Sequence, residues 1–402
     1  MRISKPEFTQ QDGDFLCRFH VCFAEGTDIL WYSLREEYAD LVSDRSDAPL
    51  VALLIRAMAC GEDIHLDGTI SERLYYNLSR SYQHVLRAVI PSLRLINIYP
   101  DNVQPATQRA SGVATGFSGG IDSFSVLADH HYTDVPTGFR LTHLLYNNVG
   151  SHEKGGSRLF RERYEHIRPT AERIGLPFIA VDTNVSAFYS GFKFQQTHTP
   201  RNASVALLLQ RGIGRFLYAS TFSYADAYIG PSYDMAYSDT VTLPLLSTEA
   251  LDAFSVGSEY TRVEKTLHVA SIEDSYRDLD VCVRDNKGRN CSTCFKCMRT
   301  LLTLEIAGLL DRYAGAFDLN AYQQGRERYI AQVLQSKDPL QREVLSFARE
   351  RGFVFPLPAR LQAPMAPLYA TKRAKRMARL PRRVVGKIKR VLLSFRQVVS
   401  HP

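Results

Sequence analysis

Two groups of residues in this 402-residue chain have types and spacings that could do chemistry. The first lies in ATGFSGGIDSFSVLAD, Ala114–Asp129, where an apolar run meets a helix-like run through Ser118-Gly119-Gly120-Ile121-Asp122-Ser123. Between a strand end and a helix start, such a turn offers backbone N–H groups that no side chain blocks, which suits phosphate oxygens. Ser118 and Ser123 add hydroxyl donors, and Asp122 could hold Mg2+ that neutralises phosphate charge. No Lys follows the glycines as it does in G-x-x-x-x-G-K-[ST] loops, so the amides must do most of the holding. A tight corner of purely structural purpose is the competing reading of two adjacent glycines.

The second group is VCVRDNKGRNCSTCFKCMRT, which gathers Cys282, Cys291, Cys294 and Cys297, four of the seven cysteines. Two C-x-x-C steps with a fourth thiol suit a closed, tetrahedral and therefore structural Zn2+ site. An iron–sulfur cluster uses the same four thiolates and stays open as an alternative. A disulfide pair does not fit a reducing compartment. There is no H-E-x-x-H or G-x-S-x-G to support hydrolase chemistry.

Short apolar runs alternating with helical stretches must position both groups. From about residue 112, Leu141–Asn147, Pro177–Thr183 and Arg215–Ser220 read as strands, and Ser157–Gly175, despite Pro169, reads as a helix, as does the run from Asn202. This alternation predicts βαβ units and a parallel sheet, hence an α/β fold. Before it, residues 1–110 open with the strand-like FLCRFHVCF and continue into amphipathic stretches with the single Trp31. They are expected to form a small α+β domain of packing or recognition role. Residues 111–310 form the second expected domain. A helical extension and Pro-rich linker over 311–370 and a basic tail over 371–402 follow.

The string S-G-G-x-D-S resembles the PP-loop of the ATP pyrophosphatase superfamily. The resemblance implies a Rossmann-like parallel sheet, ATP with its pyrophosphate in the loop, and cleavage between the α and β phosphates to adenylate a substrate. By that resemblance Ser118, Gly119, Gly120, Asp122 and Ser123 form the cradle. A cysteine nine positions before C-x-x-C-x-x-C, well after the loop, resembles 7-cyano-7-deazaguanine synthases. Weaker correspondences follow in order. YNNVGSH (Tyr146–His152) resembles the family's Y-N…H, PRN (Pro200–Asn202) its G-R-N, and TRVEKT (Thr261–Thr266) its N-K-A-E. Together they imply nucleotide-contacting roles for Tyr146, Arg201 and Asn202, and catalytic roles for Asp122, Arg262 and Glu264. For an Arg, a guanidinium fork that matches phosphate or carboxylate oxygens is the physical reason. The resemblance covers about Gly112 to Ile306. It departs in Thr221–Asp239, where the family's base-recognition segment does not recur, so the substrate is expected to differ.

Composition bounds the rest. A hydrophobic share of 45% with 23% charged residues is ordinary for a globular chain. The first residues carry no apolar h-region and no run approaches membrane-span length, so a cytoplasmic protein is expected. The net charge of +7 is uneven: Thr371–Pro402 holds eleven Lys/Arg and no Asp/Glu, which leaves the body at −4. In RRVVGKIKRVLLSFRQVV the apolar residues recur every three or four positions, as on one helix face. Such a tail could dock on an acidic partner or an anionic membrane, less readily on nucleic acid.

Three functions follow as expectations. The first is an ATP-dependent, C–N bond-forming ligase that adenylates a carboxylate, free or borne on a macromolecule. Pyrophosphate is released and an amide or nitrile forms with ammonia or an amine as donor. The second is thiolation of tRNA or a small molecule by a PP-loop sulfurtransferase. The third is a nucleotide-binding sensor or scaffold without turnover. The implied cofactors are ATP, Mg2+ and Zn2+.

Overall fold

The computed structural model describes residues 1–106, 108–151, 156–282, 284 and 290–363. His152 and the basic tail therefore lie outside the described residues. The chain divides into two units, Met1–Tyr322 and Gln323–Pro402.

The first unit is built on one mixed sheet of eleven strands. In chain order these are β1 (Arg2–Ile3), β2 (Glu7–Gln11), β3 (Asp14–Phe23), β4 (Gly26–Arg35), β5 (Ile64–Ser71), β6 (Ile98–Gln104), β7 (Gly112–Gly116), β8 (His143–Asn148), β9 (Phe178–Thr183), β10 (Ile213–Ala219) and β11 (Asp252–Val256). Their spatial order is β11-β10-β7-β8-β9-β4-β3-β1-β5-β6, with β2 paired to β3. The five strands from β7 to β11 are mutually parallel. The crossovers between them carry helices α2 (Ile121–Leu127), α3 (Gly156–Ile174) and α4 (His198–Leu208), as the period change in the sequence predicts. After β7 the chain goes to β8 and β9 on one side, then crosses to β10 and β11 on the other. The loop after β7 therefore opens at the point where strand order reverses, and that is where open α/β sheets bind ligands.

Residues 1–110 do not stop at the expected boundary. Strand β4 pairs antiparallel with β9, matching Tyr32 to Thr183 and Ser33 to Asp182, so the sheet runs across it. The core crosses as well. Leu53 and Leu54 of helix α1 (Asp47–Cys60) belong to the same buried cluster as Ile179, Val205 and Phe216. Two helices complete the part of this unit that concerns the site: α5 (Arg262–Val269) and α6 (Phe295–Ile306).

The second unit contains α7 (Pro339–Glu350), whose cap residue Asp338 accepts from the Gln341 amide, and the short α8 (Leu357–Gln362). Among the described residues no helix is long and apolar enough to cross a membrane.

Candidate functional site

The glycine turn is shaped by backbone demands. Gly119 has φ +73°, a left-handed conformation that side-chain-bearing residues rarely adopt. Gly120 is the N-cap of α2, so the amides that open this helix follow directly on the turn. Ser118 is exposed at the turn, while Ser123 is buried and donates its hydroxyl back to the Gly120 carbonyl at 3.0 Å.

Asp122 stands in the first turn of α2 and meets the first turn of α5. Both guanidinium nitrogens of Arg262 reach it: Nη2 donates to Oδ2 at 2.9 Å, and Nη1 lies 2.8 Å from Oδ1 as an ion-pair contact. Lys265, on the same helix, brings its Nζ to 3.7 Å from Asp122 Oδ1. Only 1% exposed, Lys265 also donates to the Ser220 carbonyl and hydroxyl, both at 2.7 Å, at the end of β10. Two more cations approach from α6. The Lys296 ammonium, on a residue that is exposed overall, is held below the ordinary lysine value by desolvation of its charge and by Arg262 and Arg299, with Asp122 opposing. Arg262 and Lys265 thus both face one carboxylate, and Lys296 lies near enough to feel its charge, an arrangement with room for further negative charge.

Glu264 has a different use. The α5 N-terminus is a capping box in which the Thr261 hydroxyl accepts from the Glu264 amide at 3.2 Å. The Glu264 carboxylate accepts from the Thr261 amide at 2.7 Å and from its hydroxyl at 2.8 Å. The pattern T-x-x-E is a sequence signature for this cap, and it was legible in TRVEKT.

Tyr146 is buried near the end of β8 with its ring stacked on Phe160 at 5.3 Å. Burial raises its phenol above the ordinary value, and the nearby Asp280 adds to the rise. The next residue, Asn147, donates to the Asn202 carboxamide oxygen at 3.1 Å, and Asn202 donates to the His198 carbonyl at 2.9 Å. Arg201 turns inward from the same helix. Its guanidinium lies 3.9 Å from the Tyr189 ring centroid and donates to the Val149 carbonyl at 3.1 Å. A Cβ at Gly150 would lie 2.6 Å from Arg201 Nη1, so this guanidinium packs under the loop that follows β8.

The four cysteines converge. The Sγ atoms of Cys282, Cys291, Cys294 and Cys297 all lie within 4.8 Å of one another. A tetrahedral zinc with bonds of about 2.3 Å spaces its sulfurs about 3.8 Å apart, so the set fits with small adjustment. Amides already point at the sulfurs, from Cys291 to Cys282 Sγ at 3.5 Å and from Cys294 to Cys291 Sγ at 3.2 Å. Burial opposes ionisation of Cys291, yet hydrogen bonds from Thr293, Cys282 and Cys294 bring its thiol below the ordinary value. Ser292, inside the first C-x-x-C, takes φ +55°, held by accepting the Asp318 amide at 2.9 Å. These four thiols could bind a metal such as zinc.

The cysteine segment also touches the glycine turn. The Asp280 amide donates to the Gly119 carbonyl at 2.7 Å, and Asp280 Oδ1 accepts from the Cys282 amide at 3.1 Å. Asn290 ties the segment together, accepting from the Val281 amide at 3.0 Å and donating to the Leu279 carbonyl at 2.6 Å. The structure therefore brings together the loop, Asp122, Arg262 and the four cysteines. Lys265, Lys296, Asn147 and Asp280 join them without having been singled out in the sequence. A lysine usually reads as a solvated surface group, and only burial distinguishes Lys265. No family model, curated protein or solved structure matches the chain.

Proposed function

We propose that this chain is an ATP pyrophosphatase of the PP-loop type, similar to 7-cyano-7-deazaguanine synthases. It adenylates a substrate carboxylate and then joins it to nitrogen as an amide or, after dehydration, a nitrile. One observation carries the reading. The Ser118–Ser123 turn opens at the strand-order reversal with Arg262 and Lys265 drawn onto its Asp122, beside a four-cysteine centre.

In this reading the turn and α2 amides hold the β and γ phosphates, and Ser118 adds its exposed hydroxyl. Arg262 reaches Asp122 with both guanidinium nitrogens. With ATP in place the same fork matches phosphate oxygens, and Lys265, Lys296 and Arg299 offset the charge that develops on departing pyrophosphate. When bound, Mg2+ would neutralise phosphate charge at Asp122, and Zn2+ would hold the four thiolates together. The substrate carboxylate attacks the α phosphorus and pyrophosphate leaves. AMP then becomes the leaving group from the acyl carbon when the nitrogen nucleophile attacks. Tyr146 and Asn202 line the ends of β8 and α4 beside this point, and Arg201 holds the loop after β8 from below. Glu264 acts by closing the α5 cap that aims Arg262.

Thiolation is the less favoured reading, because four mutually close thiols suit metal binding rather than one free persulfide-forming Cys. The test is a titration of the full, zinc-loaded chain with Mg-ATP, followed by a carboxylate screen for pyrophosphate release. ATP binding with release dependent on one carboxylate is expected. A folded, metal-loaded chain that neither binds ATP nor releases pyrophosphate overturns the reading.

A further inference from the structure

A cavity of about 270 Å³ opens where β8 and β9 end, walled by Asn148, Thr183, Ser186, Ser157 of α3 and Trp31 of β4. Its size suits one ring of a ligand, since clefts for whole small molecules start at about 300 Å³. Strand β8 lies directly beside β7, so the cavity begins one strand away from the glycine turn. Trp31 comes from the N-terminal half and is the only tryptophan of the chain. Its backbone is fixed by Asn184, the residue that follows β9. Asn184 accepts from the Trp31 amide at 2.9 Å and donates to the Ile29 carbonyl at 2.7 Å. The β4–β9 pairing that fuses the two halves therefore also sets an indole at the rim of the parallel strands.

The lining selects the ligand. Gly150, Gly156 and Ala187 take up little room, which leaves a slot beside the indole. Gly150 is kept small by its surroundings, because a Cβ there would lie 2.9 Å from the Ser186 Cβ. No lining side chain is charged, so a charged group inside the slot would go unmatched. The carboxamides are engaged in the protein itself, Asn184 on β4 and Asn148 in donating to Asp182 at 2.6 Å. The rest of the polar lining is the residues Ser157, Thr183 and Ser186 and the indole N–H of Trp31. A hydroxyl both donates and accepts, and another hydroxyl matches it in both roles. A heteroaromatic base presents fixed donors and acceptors, which carboxamides read better. An indole offers a negative π-face, and the C–H bonds of a saturated ring bring the complementary charge to it. Hydroxyls around the edge and C–H groups on the face describe a pyranose.

We propose that this cavity binds the ring of a sugar acid, and that the sugar acid is the carboxylate substrate. This rests on the ligase reading above and names the class of compound it acts on. The pyranose stacks on Trp31 with its hydroxyls toward Ser157, Thr183 and Ser186. Its carboxylate, the one charged group, stays outside the uncharged slot on the side of the glycine turn, where Arg262 and Lys265 gather. Trp31 lies outside Gly112–Ile306, the span of the family resemblance, as a wall for a changed substrate requires. In the reaction a carboxylate oxygen bonds to the α phosphorus of ATP while the bond to the pyrophosphate oxygen breaks. The lone pair of ammonia then attacks the acyl carbon, AMP leaves with the electrons of the C–O bond, and nitrogen loses one proton to solvent. The product is a sugar amide.

Because Trp31 is the only tryptophan, its fluorescence in the full chain reports this cavity alone. The probes are D-glucuronate and D-galacturonate, titrated in the presence of Mg2+ and α,β-methylene ATP, with nicotinate as a flat aromatic acid for comparison. One of the two sugar acids should change the emission saturably, and nicotinate should not. Ala187→Leu fills the slot from an exposed position and should weaken that sugar acid's binding roughly tenfold, with nucleotide binding unchanged. Trp31→Ala, followed by calorimetry because the reporter is gone, should show a loss of similar size. Ser157→Ala, the mildest of the three, should weaken binding several-fold. No response to either sugar acid, an equal response to nicotinate, or binding untouched by Ala187→Leu would each overturn the proposal. Mg-ATP binding and pyrophosphate release on the same protein separate the two readings. Release driven by a carboxylate that is not a sugar sinks this inference alone, whereas absent ATP binding sinks the ligase reading.

Discussion

The N-terminal half of the sheet, where antiparallel and parallel pairs mix, and the all-parallel half from β7 to β11 treat buried charge in opposite ways. In the N-terminal half, Asp47 of α1 is wholly buried and fully engaged. Its oxygens accept from the Ser71 amide at 2.8 Å, the Ser71 hydroxyl at 2.7 Å and Gln210 Nε2 at 2.8 Å. In the parallel half, Asp122 is surrounded by more cations than it needs, and Asp239 keeps one oxygen without a partner. A carboxylate with both oxygens hydrogen-bonded holds a fold together. One left over- or under-matched stores electrostatic free energy that a ligand can release.

This contrast can be broken most severely at the cysteines. Cys297→Ser should remove the metal, measured by elemental analysis, and abolish ATP binding by releasing the Asp280–Gly119 contact. The thermal unfolding of a protein that lost only a surface loop would argue otherwise. Next, Arg262→Lys keeps the charge but loses the fork. Pyrophosphate release should fall by roughly 10²-fold or more, with metal content unchanged. In the other half, Asp47→Ala leaves buried donors unmatched and should cost about 3 kcal/mol in urea unfolding, while ATP binding per folded molecule stays constant.

Asp239 gives a pH signature with a definite sign. Its folded carboxyl sits at about 6 against an ordinary 3.8, so the folded state holds the proton more tightly. Relative to Asp239→Asn, stability should therefore fall as pH rises through that window. Unfolding curves at a series of pH values measure it. The smallest effect belongs to Glu264→Gln. Its capping bonds persist in weaker form, so stability should change by less than about 1 kcal/mol and pyrophosphate release by less than a few-fold. A hundredfold loss of release would move Glu264 into the chemistry.

Much of the parallel half was legible because its signals are local. Gly119-Gly120 between an apolar run and a helix, and C-x-x-C-x-x-C, both announce geometry within a few residues. The fusion of the two halves was not legible. Pairing of Ser33 with Asp182 joins residues far apart in sequence, and nothing in either strand names its partner. Lys265 was missed for a related reason, since a lysine gains meaning only from what buries it. Glu264 was read through resemblance as catalytic although the helix-start pattern around it already offered a use.

The hydrogen bond from Asp280 to Gly119 spans about 160 positions of chain. During synthesis at 5–20 residues per second, the glycine turn would exist for roughly ten to thirty seconds before its partner emerges. Until the cysteine segment clears the ribosome and folds back, the turn lacks one wall. On the ligase reading, nucleotide capture would thereby wait for the segment around residue 280, and an interrupted chain ending before it would carry the loop's letters without that wall.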